Sequence, residues 1–446
     1  MNEKIFKAYD IRGVYPTEIN EDAAYKIGRA TVTLLGCGKI VVGRDMRASS
    51  PALFEAFSKG VNDQGADVID IGMVTLPMVS FAMMTSGEKF AAMISASHSP
   101  SEYNGMKIVK NCDPVAVQLS DEAALTKIGE IAIKGEFQDA SKKGQITKKD
   151  IHKEYQDYMI SRFKETVKDL TVVCDSGNGV GAVSAEPVLS ALPIEVTHLF
   201  KEPDGSFPNH TPNPHDVENF KDLQEEMAKQ KADLGIFFDG DADRGVLVDE
   251  KGEIIFPDVE LGAFALDELE RNPGKNIYYD LRFTKAVKEE IEKKGGHAFM
   301  MRVGNPFYKE ALLAEEAVLS GEFSGHIMFK ENYGIDDGLY APLKFMSLMC
   351  RTGKKASELV APFQKYFQTE EINMKVADAD ATIEKVREKY SDGKLITIDG
   401  ILIDYGSWWL SLRKSNTEPL VRLRMEAKEK TLLEEKRKEV LEIIQN

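Results

Sequence analysis

T-V-V-C-D-S-G-N-G, Thr171 to Gly179, is an apolar, β-branched run that ends at an acid and gives way to a polar, glycine-containing turn. A helical pattern follows it. That order is the signature of a buried strand feeding a helix in an α/β layer. The same plan stands at I-V-V-G-R-D, Ile40 to Asp45, ahead of a Ser-Ser-Pro helix start at Ser49 to Pro51, and again at N-I-Y-Y-D, Asn276 to Asp280. Recurrence at intervals of roughly a hundred-odd residues predicts three related α/β domains. The likeness is that of strand-loop-helix units, which unrelated α/β domains also share.

The last segment reads differently. Leu395 to Ile398 and Ile401 to Tyr405 flank Asp399-Gly400, a hairpin signal. Trp408 to Leu412 and Leu420 to Ala427 read as further strands, the latter alternating Val421, Leu423 and Met425 against Arg422, Arg424 and Glu426. Lys430 to Ile444 reads as an amphipathic helix with apolar positions at Leu432, Leu433, Val440, Leu441 and Ile444. The expected fold is α/β, three similar α/β domains plus a C-terminal α+β domain. Lysine-rich or turn-forming stretches at Lys142 to Lys149, at Asp249 to Gly252 and near Pro362 mark the joins. The expected domains are therefore 1–145, 146–249, 250–364 and 365–446.

The chain has 446 residues, 43% hydrophobic and 29% charged, as in an ordinary water-soluble globular protein able to bury several cores. Its first residues, MNEKIFKAYD, carry charges where a signal peptide needs an apolar run, and no stretch is long enough to span a bilayer. A cytoplasmic location and no membrane partner are expected. Cys37, Cys112, Cys174 and Cys350 are scattered without a C-x-x-C, which reads as buried free thiols. A net charge of -16 argues against nucleic acid as a partner. It leaves an anionic small substrate open, because local charges decide what binds.

Behind the apolar run Leu234 to Phe238 comes D-G-D-A-D-R, Asp239 to Arg244, three carboxylates at alternate positions. An EF-hand would want glycine where Arg244 stands and a helix where Val246 to Val248 resumes a strand. A solvated acidic turn and a loop holding a hard cation such as Mg²⁺ are the remaining readings. A second stretch, I-S-A-S-H-S-P-S-E-Y-N-G-M-K-I, Ile94 to Ile108, places four serines, a histidine and a proline after apolar residues. It is either a plain Ser-Pro turn or a loop presenting a reactive hydroxyl. A phosphoserine beside three aspartates would carry roughly five negative charges, more than one divalent ion offsets. Arg244, Lys107 and Arg12 are the basic groups on offer. G-E-F-S-G-H, Gly321 to His326, suits a loop that reads sugar hydroxyls with a carboxylate and a serine, and His326 can move protons near neutral pH. R-K-S-N-T-E-P, Arg413 to Pro419, gathers the donors a phosphate dianion wants. An ordinary surface loop is the alternative for each.

With F-K-A-Y-D-I-R-G at Phe6 to Gly13 added, this ordered set resembles the α-D-phosphohexomutase family, in its phosphomannomutase/phosphoglucomutase branch, over Phe6 to Glu426. The resemblance implies four domains around a central cleft and reversible phosphoryl transfer between C1 and C6 of a mannose or glucose phosphate. It implies that Ser97 cycles through a phosphorylated form and that Asp239, Asp241 and Asp243 hold Mg²⁺ together with that phosphate. A hexose 1,6-bisphosphate is then the intermediate and activator. Arg244, Lys107, Arg12 and Tyr9 match positions lining the reaction centre, and Glu322 and Ser324 match sugar-hydroxyl contacts. Arg413, Ser415, Asn416 and Thr417 match a phosphate clamp.

Some positions depart from the pattern. Ser95 and Ser99 replace a common Thr and Asn, and Arg282 stands where Lys is frequent among substrate-binding positions. Asn305 stands where many relatives carry His, so the proton-transfer role of that His does not transfer and shifts to His326 or Lys107. Phe323 fits this branch better than the Gln usual in phosphoglucosamine mutases, the nearest rival within the family. A Mg²⁺-dependent sugar phosphatase with an aspartate nucleophile, and a non-catalytic sugar-phosphate sensor, are the readings from other classes. Monomer and dimer are both compatible with the sequence.

Overall fold

The computed structural model describes residues 1–414 and 420–445. Three α/β sheets repeat one topology. In the first, Lys39–Arg44 lies between the parallel strands Asp67–Met73 and Phe90–Ile94, and Tyr103–Asn111 runs antiparallel beyond Phe90–Ile94. In the second, Thr171–Asp175 lies between Glu195–Leu199 and Leu234–Phe238, with Gly245–Val248 antiparallel beyond. In the third, Asn276–Asp280 lies between His297–Met301 and Ala317–Gly321, with Ile327–Phe329 antiparallel beyond. The three runs that recur in the sequence are thus the central strands of their sheets. Their residues are apolar at successive positions because helices cover both faces, which parallel strands require. Val41, Val42, Val172, Val173 and Ile277 are all buried.

Two stretches expected at joins take part in sheets. Ile146–Lys148, placed within a linker and just past residue 145, adds a parallel strand to the first sheet beside Asp67–Met73. The turn Asp249 to Gly252 is a hairpin inside the second sheet, because Ile254–Ile255 folds back antiparallel onto Gly245–Val248. The Asp249 carboxylate ties that turn by accepting from the Lys251 and Glu253 N–H groups at 2.9 Å. The passage to the third unit comes at the helix Pro257–Arg271, opened by a proline that needs no N–H partner there.

The fourth unit is an antiparallel sheet of six strands, in which Leu420–Ala427 pairs with Trp408–Lys414, Ile372–Lys375 and Phe367–Gln368. The expected hairpin about Asp399-Gly400 joins Lys394–Ile396 to Ile401–Asp404. Val421, Leu423 and Met425 pack with Val386 and with Leu433, Val440 and Ile444 of the helix Lys430–Gln445. Strand alternation then turns Arg422, Arg424 and Glu426 to the other face. One cluster of buried apolar side chains runs through the first three units, from Val41 and Met93 through Cys174 and Ile236 to Ile277 and Leu319. The fourth keeps its own core and meets the third at the small cluster Leu281, Leu402 and Trp409. No helix among the described residues is long and apolar enough to cross a membrane.

The second and third units touch backbone to backbone beside the acidic loop. The Gly338 N–H donates to the Ala242 carbonyl at 3.1 Å, and a Cβ on Gly245 would lie 2.0 Å from the Gly338 carbonyl oxygen. Gly245→Ala is therefore expected to destabilise the fold by about 1–3 kcal/mol. A thermal unfolding midpoint equal to that of the parent protein would show that this contact yields freely.

Candidate functional site

Each α/β sheet delivers one loop from an equivalent place, the hairpin between its third parallel strand and the antiparallel strand after it. The first carries Ser97, the second carries Asp239 to Arg244, and the third carries Glu322 to His326. The fourth unit offers the arginine-bearing face of its sheet. All four border one cavity of about 880 Å³, lined among others by Tyr9, Arg12, Ser97, Lys107, Asp243, Arg244, Arg282, Glu322, Ser324, His326 and Arg413. Asp239 and Asp241 belong to the same acidic loop and are fully buried. The remaining expected clamp residues, Ser415, Asn416 and Thr417, lie outside the described residues.

Ser97 sits at φ 51°, in the left-handed region that few residues other than glycine adopt. Its N–H donates to Ser95 Oγ at 2.9 Å. Its Oγ donates to Asp239 Oδ2 at 2.7 Å and accepts from Arg244 Nη2 at 3.2 Å. The loops bearing Ser97 and Asp239 press together, since a Cβ on Gly240 would come 2.3 Å from the Ser97 carbonyl oxygen.

The acidic loop is neutralised from two sides. Arg244 donates to Asp239 Oδ2 through Nη2 at 2.6 Å and Nε at 3.0 Å. Lys107, on the strand that leaves the serine hairpin, donates from Nζ to Asp241 Oδ2 at 2.8 Å and Asp243 Oδ2 at 2.7 Å. Burial works against both cations, yet the neighbouring aspartates outweigh it and hold Lys107 and Arg244 above their ordinary ranges. Burial pushes Asp239 up. At Asp243 burial is overcome by Lys107, His326 and Arg244, and the group is held down.

One carboxylate oxygen from each of Asp239, Asp241 and Asp243 lies within 4.8 Å of the others. Among the described residues, Asp241 Oδ1 and Asp243 Oδ1 are buried without a hydrogen-bond partner. An all-oxygen, anionic donor set with unsatisfied oxygens suits a hard divalent cation.

Three histidines surround this centre in two states. His98 Nδ1 accepts from Arg244 Nη2 at 2.5 Å and lies 3.3 Å from Ser97 Oγ, while His215 Nε2 lies 3.4 Å from Arg244 Nη1. Burial and then Arg244 hold His98 well below its ordinary value and bring His215 down to about 3, so both are neutral. His326 goes the other way. Burial opposes its charge, but Asp243 and Asp336 raise it, with Asp336 Oδ2 3.1 Å from Nδ1. Asp336 also accepts from Lys309 Nζ at 2.6 Å and from Asn305 Nδ2 at 2.6 Å. Asn305 therefore joins the His326 network through Asp336.

Across the cavity, Glu322 accepts from the Gly304 N–H at 2.9 Å and from Ser324 Oγ at 2.7 Å. Tyr9 OH donates to the Val303 carbonyl at 3.1 Å, and Arg12 donates to Ser99 Oγ at 2.8 Å and Asp10 Oδ2 at 2.5 Å. Glu371 collects three arginines, Arg282 Nη1 at 3.3 Å, Arg413 Nη2 at 3.0 Å and Arg422 Nη1 at 3.0 Å. Arg424 lies over the Phe323 ring at 3.8 Å. Glu371, Asp336, His215 and Arg424 are site residues that sequence reasoning missed. The one available signal was the pair Arg422 and Arg424 on a single face of a strand that leaves the expected phosphate loop.

Family models for phosphoglucomutase/phosphomannomutase alpha/beta/alpha domains I, II and III and for the C-terminal domain match residues 3–139, 153–252, 257–366 and 371–443. A phosphoglucomutase of Neisseria gonorrhoeae is 37% identical over 96% of this chain and 94% of its own length. A phosphomannomutase/phosphoglucomutase of Pseudomonas syringae is 37% identical over 97% of this chain and 93% of its own length. The crystal structure of a phosphoglucomutase/phosphomannomutase family protein from Burkholderia thailandensis superposes with a TM-score of 0.91 at 33% identity, covering 100% of this chain and 97% of that one. The chain belongs to the phosphoglucomutase/phosphomannomutase family and is an isomerase acting on phosphosugars.

Glu371 gives the arginine face a pH dependence. Burial alone would raise its carboxyl, but Arg282, Arg413 and Arg422 bring it down to about 2. A carboxylate lowered on folding stabilises the fold above its unfolded value of about 4.3 and loses that contribution as pH falls towards the folded value. Relative to Glu371→Gln, the parent protein is expected to be more stable by roughly 3 kcal/mol near neutrality. The gap should close between about pH 4.3 and pH 2. Thermal melts of both proteins across that range measure it, and a gap independent of pH would refute it.

Proposed function

We propose that Ser97 carries the phosphoryl group in a reversible transfer between C1 and C6 of mannose or glucose phosphates. The observation that carries this reading is the setting of Ser97 Oγ, 2.7 Å from Asp239 and 3.2 Å from Arg244, on the wall of a cavity bordered by arginines. In the first half-reaction the bond from phosphorus to Ser97 Oγ breaks, a bond from phosphorus to a hydroxyl oxygen of the bound hexose monophosphate forms, and the proton which that hydroxyl gives up ends on Ser97 Oγ. The product is a hexose 1,6-bisphosphate. After it turns over in the cavity, its other phosphoryl group returns to Ser97 Oγ and releases the isomeric monophosphate.

Such a transfer needs positioning and charge more than covalent chemistry. Arg244, Lys107 and Arg12 offset the charge of the transferring group, and His326, raised by Asp243 and Asp336, stands 3.8 Å from Asp243. Ser97 Oγ donates its hydrogen to Asp239 Oδ2 at 2.7 Å, so Asp239, pushed up by burial, is the carboxylate placed to accept the hydroxyl proton that Ser97 loses when it is phosphorylated. Asp239, Asp241 and Asp243, with the phosphorylated Ser97, would hold Mg²⁺. The bound ion supplies positive charge that polarises phosphoryl oxygens.

On the substrate side, Arg413, Arg282, Arg422 and the Ser415 to Thr417 segment hold the phosphate that does not react, and Tyr9 and Glu322 with Ser324 read sugar hydroxyls. Contacts to O3 and O4 look alike after the sugar turns over, and they ignore C2, where mannose and glucose differ. Both sugars are therefore substrates. The cysteines are free thiols, which fits a reducing, cytoplasmic setting.

Ser97→Ala is expected to lower kcat by at least about 1,000-fold in converting glucose 1-phosphate to glucose 6-phosphate with added glucose 1,6-bisphosphate. Near-parental turnover would sink the assignment of the serine. Dialysis against EDTA should lower activity by about 100-fold or more, and added Mg²⁺ should restore it. Metal-independent turnover would remove the role given to the three aspartates.

A further inference from the structure

We infer that Arg47 is a positioning residue for phosphoryl transfer, holding Ser97 in the backbone conformation that aims its Oγ at Asp239. This rests on the reading that Ser97 carries the phosphoryl group.

Arg47 lies in R-D-M-R-A-S-S, in the turn after the central strand Lys39–Arg44 of the first sheet, and its side chain is completely buried. A guanidinium has five N–H donors in a rigid planar fork, and burying one is costly unless all are bonded. Here all five are used. Nε donates to Asp45 Oδ2 at 3.2 Å, and Asp45 is itself fixed by the Arg47 N–H and by Ser50 Oγ. Nη1 donates to the carbonyls of Pro100 at 2.6 Å and Tyr103 at 2.9 Å. Nη2 donates to the carbonyls of Ser97 at 2.8 Å and Ser99 at 2.6 Å. Four donors thus end on backbone oxygens of the serine hairpin, and none on a cavity-facing group.

The consequence falls on Ser97. Its left-handed φ of 51° is strained for a non-glycine residue and persists only where the surroundings impose it. The Ser97 carbonyl is fixed from two sides, by Arg47 Nη2 and by the backbone at Gly240. With that peptide plane held, the Ser97 side chain is committed to Asp239. The guanidinium also lies over the Phe207 ring at 5.1 Å, and the Gly205 backbone packs against the Arg47 Cα. Arg47 therefore sits where the second unit meets the serine hairpin.

A lysine at this place keeps the charge but has one nitrogen and three donors, so it cannot span four carbonyls and Asp45 together. Arg47→Lys is expected to lower kcat by about 100-fold with KM changed by less than about 3-fold. The rate at which glucose 1,6-bisphosphate phosphorylates Ser97, followed by intact-protein mass, should fall by the same factor. In Arg47→Ala, millimolar guanidinium should restore about 10-fold of the lost kcat, whereas ammonium at the same concentration should restore none. A merely structural role predicts a lower melting temperature with parental kcat per folded molecule and a parental rate of Ser97 phosphorylation. That result overturns the inference. If Arg47→Lys does not fold, Asp45→Asn, which frees Nε from its carboxylate, is read the same way. Its kcat should fall about 10-fold at unchanged KM, and a parental kcat overturns the inference. Failure of the underlying reading is distinct, because it appears as turnover in Ser97→Ala whatever Arg47 does.

Discussion

Three carboxylates on one six-residue loop, taken wholly out of water, are the constraint on which the rest of the structure depends. Isolated buried charges cost far more than a fold can spare, so Asp239, Asp241 and Asp243 can stay ionised only with cations brought to them. The loop itself supplies one, Arg244. The second, Lys107, comes from another sheet and carries the serine hairpin with it, because it lies on the strand that leaves that hairpin. The third unit contributes His326 and Asp336 on the remaining side. Charge balance at one loop therefore brings three units together, and the backbone contacts at Gly240 and Gly245 set how closely they approach.

The repeated sheets explain why these loops come together with so little apparatus. In every unit the turn after the central strand lies next to the hairpin after the third strand, because those two strands are neighbours. Each turn binds its hairpin. Arg47 holds the serine loop, the Val180 N–H donates to the Gly240 carbonyl of the acidic loop, and Asp280 accepts from the Phe323 N–H of the third loop. The acid that ends each recurring run serves this purpose. Asp45 and Asp280 each orient an arginine two residues on, Arg47 and Arg282, whereas in the second unit His210 occupies the partner's place on Asp175. From one template the first arginine is turned inward to a backbone and the last faces the cavity.

Much of this was legible in the sequence because it is local. Strand, acid and turn lie within nine residues at Thr171 to Gly179, and Asp239 to Arg244 declares its charge in six consecutive letters. The alternation of Leu420 to Ala427 placed two arginines on one face correctly, though not what they meet. What stayed hidden depends on partners distant in sequence. Ile146 to Lys148 looked like linker because it lies in the lysine-rich stretch Lys142 to Lys149, and only its pairing beside Asp67–Met73 makes it a strand. The Asp249 turn looked like a join because a hairpin between short strands and a linker share composition. Arg47, Glu371 and Asp336 are single charged letters without a motif, and each acquires meaning from carbonyls, arginines or an imidazole supplied by other segments.

Asn305 shows how such a network absorbs a substitution. An imidazole at that place would add a third titratable group to Lys309 and His326 around Asp336. Asparagine keeps a donor to Asp336 at 2.6 Å and adds no charge, so the carboxylate is shared by one ammonium and one imidazole. Against the effect of burial, His326 is held above its ordinary value by Asp243 first and by Asp336 second. With Arg244 and Lys107, His326 makes three basic groups that face the three aspartates beside Ser97 Oγ.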